Sequence, residues 1–146
     1  MKYSQARQGR VFVIRLETGD VIHEAIERLA FEQGISCASF IIVGGVDKDS
    51  TLIVGPAERE LNSPAISYVL QQPHEITGSG TLFPNEAGKP VVHMHIACGR
   101  NDSTITGCIR KGVNTWNLLE IVLIELIGCR AKRVLDAKSG LMLLQP

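Results

Sequence analysis

The chain carries no excess charge of either sign, which limits the partners it is expected to bind. Its 146 residues include 15 basic and 15 acidic side chains, so the formal net charge is zero at pH 7. Proteins that bind nucleic acid on their own normally carry a basic footprint that supplies most of the affinity. The neutral balance therefore counts against direct nucleic-acid binding, and we interpret the small cluster of Arg130, Lys132 and Arg133 as solvated surface.

Long hydrophobic segments and cysteine-pair motifs are also missing. The start of the chain is polar and lacks the apolar centre of a signal peptide. The longest apolar run, Ile121–Ile124, is flanked by Glu120 and Glu125 and is too short to cross a bilayer. The four cysteines, at 37, 98, 108 and 129, form no closely spaced pair, and without an export signal we expect them to be reduced. These features predict a cytoplasmic protein with no membrane partner.

Common catalytic motifs and internal repeats are absent as well. The sequence contains no Ser/His/Asp order, no phosphate-binding glycine loop and no signature of a cysteine nucleophile. Nothing marks an internal domain boundary, so we expect a polar N-terminal segment at 1–10 followed by one domain at 11–146. Whether the chain is an enzyme stays open at this level.

Hydrophobic periodicity predicts an α+β fold. Apolar residues repeat at helical spacing between 21 and 33, with Asp20 placed as an N-cap and Gly34 placed to end the helix. Most other segments have strand signals: 11–16, 37–43, 51–54, 65–70, 73–82, 91–96, 104–109, 115–126 and 141–144, with a short strand or turn at 129–135. One helix among hairpin-linked strands favours a largely antiparallel sheet with one main helix packed on it, in a single compact domain.

The most informative segment is Val91–Ile96, which contains a His-x-His pair. Side chains alternate faces along a strand, so His93 and His95 point one way while Val92, Met94 and Ile96 point to the core. The two imidazoles lie one pleat repeat apart, about 6–7 Å along the strand. Because neutral imidazole is the commonest metal ligand in proteins, the pair is a plausible start of a metal site.

Strand parity brings a third candidate ligand to the same face. The turn-forming residues 99–103 connect the histidine strand to a returning strand that contains Cys108. If the loop is Asn101-Asp102, Cys108 lies opposite His95, and if the loop spans 99–102, it lies opposite His93. Two imidazoles and one thiolate leave one position open on a tetrahedral zinc ion. The alternative is a polar surface strand beside a small buried cysteine.

The order of these features resembles the plants and prokaryotes conserved (PPC) domain over nearly the whole chain. The matching segments are the strand-turn-helix of 16–34, His74-Glu75-Ile76 with Gly80-Thr81-Leu82, residues 89–95, Gly107, the strand at 116–125, and Asp136 with Ser139-Gly140-Leu141. The Pro-x-x-His-x-His segment is the most specific part of the pattern. In the family a Gly-His pair follows about a dozen residues later, whereas here Cys108 stands in the place of that histidine.

The resemblance implies an α+β fold, a homotrimer and a site with histidines at or near the subunit interface. It is closest to the stand-alone prokaryotic form, because the chain has no Arg-Gly-Arg-Pro hook of the kind that contacts DNA in plant relatives. Cys108 in place of the family histidine either keeps a three-ligand set for zinc or another divalent transition metal, or marks a site that has lost its metal. Glu75 matches a characteristic family glutamate. If it faces the site, it would act as a base or accept an imidazole proton.

Three functions remain in competition. The first is a trimeric assembly module that binds a metal or a small-molecule ligand. The second is a zinc-dependent hydrolase or lyase for a small polar substrate, with His93, His95 and Cys108 as ligands and Glu75 as base. The third is a DNA-associated regulator, which the neutral charge disfavours.

Overall fold

An antiparallel sheet of eight strands carries one helix on one of its faces. The computed structural model describes residues 1–58 and 63–146. The elements are β1 (Arg7–Glu17), α1 (Ile22–Gln33), β2 (Ala38–Val46), β3 (Thr51–Pro56), β4 (Ala65–Val69), β5 (His74–Pro84), β6 (Pro90–Arg100), β7 (Ser103–Cys108), β8 (Thr115–Ile127), β9 (Lys132–Leu135) and β10 (Met142–Gln145). The strand order in the large sheet is β1-β8-β2-β5-β6-β7-β3-β4, and β9 and β10 form a separate hairpin. This confirms the predicted α+β architecture.

Helix α1 closes the core. Its apolar side chains recur every three to four residues, and Ile22, Ala25, Ile26 and Ala30 are buried against the sheet. Gly34 ends the helix at φ 64° and ψ 32°, the left-handed conformation in which glycine carries no steric cost. The described ranges contain no helix with both the length and the apolar character that crossing a membrane requires.

The start of α1 differs from the sequence-based prediction. The N-cap is Val21, which makes no side-chain capping bond. The Asp20 carboxylate instead accepts a hydrogen bond from the backbone N–H of Glu17 at 2.9 Å and closes the turn after β1. Asp20 was predicted as the cap because its residue type suits that position, but the turn uses the same acceptor locally.

Strand β1 starts earlier than predicted, inside the segment 1–10. Arg7 pairs with Ile127, so the far end of β8 provides a partner for residues that precede the apolar run. The Arg10 guanidinium also binds the Glu125 carboxylate, with Nε and Oε2 2.7 Å apart. Strand pairing with β8 and the ion pair with Glu125 therefore hold residues 7–10 in the sheet, although their composition alone suggests polar surface.

The two faces of the sheet have different environments. The face under α1 forms the main core, which includes Phe40, Ile42, Ile96 and Leu119. The opposite face leaves apolar side chains exposed on three adjacent strands: Val11, Val13, Ile41, Val43, Leu118 and Val122. We call this set the open apolar face. Helix α1 lies on the other side of the sheet and does not cover it.

Candidate metal centre

The candidate ligands lie on the same side of the sheet as the open apolar face. Register pairs define one cross-strand row through six strands: Val13, Val122, Ile41, Ser79, His95 and Cys108. Directly opposed residues share a face, so His95 and Cys108 project to the side that α1 leaves uncovered. With neighbouring strands about 4.8 Å apart, His95 lies about 10 Å from Ile41.

The β6–β7 hairpin sets the position of Cys108. Arg100 pairs with Ser103, so the loop is Asn101-Asp102, and His95 pairs with Cys108. This is the first of the two registers that the sequence allowed. Asn101 takes a positive φ of 52°, a conformation that asparagine tolerates better than most residues. The even loop length therefore places the Cys108 sulfur on the histidine face, as predicted.

Three potential ligand atoms converge on this face. One ring nitrogen each from His93 and His95 and the Cys108 sulfur all lie within 4.8 Å of one another. The two imidazole rings meet edge to face, with centroids 5.2 Å apart. Tetrahedral zinc with bonds of 2.0–2.3 Å needs ligand atoms about 3.3–3.8 Å apart. Rotation about the side-chain torsions could bring the three ligand atoms about 1 Å closer together, to the spacing that zinc needs. The residues present therefore fit a divalent ion.

Gly107 allows β7 to approach β3 closely at the ligand cysteine. A Cβ at Gly107 would lie 2.9 Å from the carbonyl oxygen of Ile53 and 3.0 Å from the Cβ of Leu52. Ile53 is the β3 partner of Cys108. The absence of a side chain at 107 therefore lets β3 hold the Cys108 backbone on one side while His95 holds it on the other.

The three ligands open into a cleft of about 460 Å³. Its lining combines Arg110, Thr106, Ser63 and Ser139 with the apolar side chains Ile53, Val54, Pro56, Ala65 and Leu141. This volume lies in the range of small-molecule sites, about 300–1,000 Å³. Because both imidazoles are exposed while Cys108 is buried, a bound ion would face the cleft through its remaining position.

The electrostatic environment of the cleft is positive. Partial burial lowers the pKa of His93, and the neighbouring Arg133, His95 and Arg110 lower it further. This shift favours the neutral ring, which is the form that donates a lone pair to a metal. Burial also lowers the pKa of the Arg133 guanidinium, which a negative charge on Cys108 would counteract.

Arg133 is a component of the site that the sequence reasoning missed. It was interpreted as solvated surface, yet it is only 5% exposed. Its Nη2 donates to Thr81 Oγ1 at 3.0 Å, and its guanidinium lies 5.7 Å from the Phe83 ring centroid. Thr81 is the β5 partner of His93, so Arg133 lies beside the histidine face. Alternation along the chain could have indicated that Arg133 is buried, because Ala131, two residues earlier, is buried.

Glu75 lies away from the three ligands. It pairs with Gly99 and so projects to the same face, but it is four residues, about 13 Å, along the sheet from the His95 position. It lines a different cleft with His74, Arg100 and Trp116. The sequence left open whether Glu75 faces the site, and it could not fix the position along the strand. The geometry gives Glu75 no contact with an ion at His93, His95 and Cys108.

The other three cysteines lie elsewhere. All four cysteines are free, and burial raises the pKa of Cys98 to about 12. Burial and the contact with Cys129 raise the pKa of Cys37 to about 12. Cys37 and Cys98 are fully packed, and Cys129 is half-buried. This agrees with the expectation that these residues serve packing.

Comparison with protein families gives a match over most of the chain. The model of the Plants and Prokaryotes Conserved (PCC) domain matches residues 3–127. A search of curated protein sequences gives no significant match.

Several solved structures share this fold. The metal-containing protein AF0104 from Archaeoglobus fulgidus is 25% identical, with a TM-score of 0.84 and all of both chains covered. A plant- and prokaryote-conserved protein from Pyrococcus horikoshii is 22% identical, with a TM-score of 0.84 over 100% of this chain and 98% of the other. A Ralstonia eutropha JMP134 protein, provisionally named a DNA-binding protein, is 20% identical, with a TM-score of 0.73 and coverage of 92% and 90%.

Proposed function

Since the chain belongs to the Plants and Prokaryotes Conserved domain family, we propose that it binds a divalent transition metal at His93, His95 and Cys108 within a self-assembling module. The observation that carries this proposal is the convergence of three ligand atoms within 4.8 Å on one hairpin. Zinc is the first choice, because two imidazoles and one thiolate form a mixed nitrogen and sulfur set. The name of the Archaeoglobus fulgidus relative, a metal-containing protein, supports it.

The arrangement suits binding at an open coordination position. Three protein ligands with a fourth position free are typical of zinc sites that bind a small ligand or act on it, whereas structural sites usually have four protein ligands. When bound, the ion would act as a Lewis acid toward a ligand in the cleft. His93, His95 and Cys108 would hold it, and the β6–β7 register would orient them.

Hydrolysis is less well supported than binding. A hydrolase needs a base near the open position, and Glu75 lies in another cleft. Among the described residues that line the ligand cleft, none is a carboxylate. The DNA-binding name of the Ralstonia protein belongs to a relative at 20% identity, and the neutral charge of this chain disfavours that role.

The test is elemental analysis of protein purified without a nickel column. We expect about one zinc ion per chain in the wild type, because one hairpin supplies one set of ligands. His93→Ala and His95→Ala should abolish zinc binding, whereas Cys108→His should retain it. His74→Ala is the matched control, because this imidazole bonds to the Gln72 carbonyl, with Nδ1 and oxygen 2.7 Å apart, and lines the other cleft.

Two outcomes would contradict the metal site. One is wild-type protein that takes up no zinc, cobalt or nickel after dialysis against each metal. The other is unchanged zinc binding in both histidine variants. Zinc affinity should also fall on acidification, because protons compete with the metal for imidazole and thiolate.

The second part of the proposal is a homotrimer in the cytoplasm. The open apolar face supports assembly, because contiguous exposed apolar surface marks protein interfaces. Glu120 and Arg15 pair across β8 and β1 within this face, so each has an opposite charge nearby. The four free cysteines are consistent with a reducing compartment.

A further inference from the structure

Among the described residues, the cleft beside the three metal ligands is lined by positive charge without a matching carboxylate. Arg110 lines it directly, and Arg133 lies nearby, bonded to Thr81, the cross-strand partner of His93. No aspartate or glutamate lines it within residues 1–58 and 63–146. The carboxylate of Asp136 is close in sequence to Ser139, but it accepts hydrogen bonds from the Ser139 N–H at 2.9 Å and hydroxyl at 2.7 Å.

The burial of Arg133 makes the excess of positive charge energetically unfavourable. Arg133 is only 5% exposed, and its guanidinium contacts the Thr81 hydroxyl, the Val91 carbonyl and the Phe83 ring. No carboxylate forms an ion pair with it in the described parts of the chain. A buried guanidinium normally has an anionic partner, because removing a charge from water without one is strongly unfavourable.

A metal ion increases the positive charge. A dication bound by two neutral imidazoles and one thiolate keeps a net positive charge, and the guanidiniums of Arg110 and Arg133 add to it. The Cys108 thiolate offsets only part of this total. An anionic fourth ligand would offset part of the positive charge that remains on the ion and the guanidiniums.

The walls of the cleft restrict the kind of anion. Ile53, Val54 and Leu141 form apolar walls, and the volume of about 460 Å³ is far larger than a water molecule or an inorganic ion requires. A fully charged phosphate has no apolar part that could contact these walls. A carboxylate with a short hydrocarbon body would place its charge at the ion and Arg110 and its body on the apolar walls.

We infer that the site binds a small organic carboxylate, with Arg110 selecting the charge and the β3 wall accepting the hydrocarbon part. This inference rests on the proposed metal site and names the class of its ligand. Arg133 acts as a positioning residue, because its contacts lie beside the histidine face rather than along the cleft lining.

The experiment compares butyrate with butyramide, which has the same shape and no charge. Binding is measured by calorimetry on zinc-loaded and zinc-free protein. We expect butyrate to bind at least tenfold more tightly than butyramide and several-fold more tightly than acetate. Arg110→Gln should weaken butyrate about tenfold and leave butyramide unchanged. Arg28→Gln removes the same charge from α1, on the other face of the sheet, and should change nothing.

The outcomes separate this inference from the metal site itself. Zinc content, measured on the same samples, reports on the metal site alone. The carboxylate site is supported if the wild type prefers butyrate to butyramide and Arg110→Gln loses this preference. This holds for zinc-loaded and for zinc-free protein. Equal binding of butyrate and butyramide, equal effects of Arg110→Gln and Arg28→Gln, or phosphate binding more tightly than butyrate would overturn it. An Arg110→Gln variant with normal zinc content and normal butyrate binding would remove the inference while leaving the metal centre intact.

Discussion

Cys108 is the residue in which this chain departs from the family pattern, and its surroundings include two guanidinium groups. A thiolate brings a negative charge that an imidazole would not, and Arg133 and Arg110 lie close enough to compensate for it. The sulfur also extends from a backbone held between His95 and Ile53. At this position the change from histidine to cysteine alters the charge of the donor set without altering which strand supplies it.

Gly107 should contribute to metal binding although it is not a ligand. In Gly107→Ala the new Cβ would meet the Ile53 carbonyl at 2.9 Å, so β7 has to move away from β3 and carry Cys108 with it. We expect zinc affinity to fall about tenfold and the free energy of unfolding to fall by about 1–3 kcal/mol. Competition titration with a chromophoric chelator measures the first and urea unfolding measures the second.

The control for this variant is Gly99→Ala. Gly99 lies on the adjacent strand β6, where the nearest atoms to a new Cβ are 3.7 Å and 3.9 Å away, an ordinary contact distance. Its zinc affinity should stay at the wild-type value. Equal affinities for the two alanine variants would show that the approach of β7 to β3 does not position Cys108.

At the scale of elements, hydrophobic periodicity and the even length of the hairpin loop predicted the features that depend on neighbouring residues in the sequence. The helix, the strands and the side of the hairpin that carries Cys108 follow from alternation and an even loop, and these predictions are confirmed. The burial of Arg133 and the distance of Glu75 depend on how remote segments pack. A strand pattern specifies a face, but it specifies neither which strand is the neighbour nor how far along it a residue lies.

The Arg10–Glu125 pair joins three elements at one corner of the sheet. Arg10 Nη2 lies 2.9 Å from Glu125 Oε1 and also donates to the Gln33 carbonyl at 3.0 Å, so it connects β1 and β8 with the end of α1. Helix α1 has no basic residue in its last turn. Arg10 therefore supplies the positive charge that favours a helix C-terminus.

This pair should stabilise the protein in a pH-dependent way. The hydrogen bond from Arg10 lowers the pKa of Glu125 below its ordinary value of 4.5. The stabilisation is therefore fully present above pH 4.5 and is lost as the pH falls through the lower pKa of the folded state. Because Arg10 is half exposed, we expect Glu125→Gln to cost only about 0.5–1 kcal/mol at pH 7 and less at pH 2.5.

Urea unfolding at pH 7 and pH 2.5 measures this difference. Glu32→Gln serves as the control, because Glu32 is an exposed residue of α1 that forms no ion pair with the described residues. A Glu125→Gln variant that loses the same stability at both pH values would show that packing, rather than charge, accounts for the effect.

At the scale of the whole molecule, the metal centre and the open apolar face belong to one continuous surface. Ile41 and His95 lie in the same cross-strand row, separated only by Ser79. A second copy that covers the apolar strands would therefore also approach the histidines. The three ligands nevertheless come from a single hairpin of one chain. Assembly and metal binding should thus be neighbouring but separable properties.

Ile41→Lys should separate them. Ile41 is 61% exposed at the centre of the open apolar face, and a lysine there would place a charge in any interface built on that face. By light scattering, the wild type should have three times the 15.9 kDa mass of one chain, and Ile41→Lys should have the mass of one chain. Phe31 is 80% exposed on α1, across the sheet, and Phe31→Lys should remain trimeric. The monomeric variant should still bind zinc, because no ligand comes from a partner. A trimeric Ile41→Lys would place the interface elsewhere, and a monomer without zinc would show that the neighbouring copy completes the site.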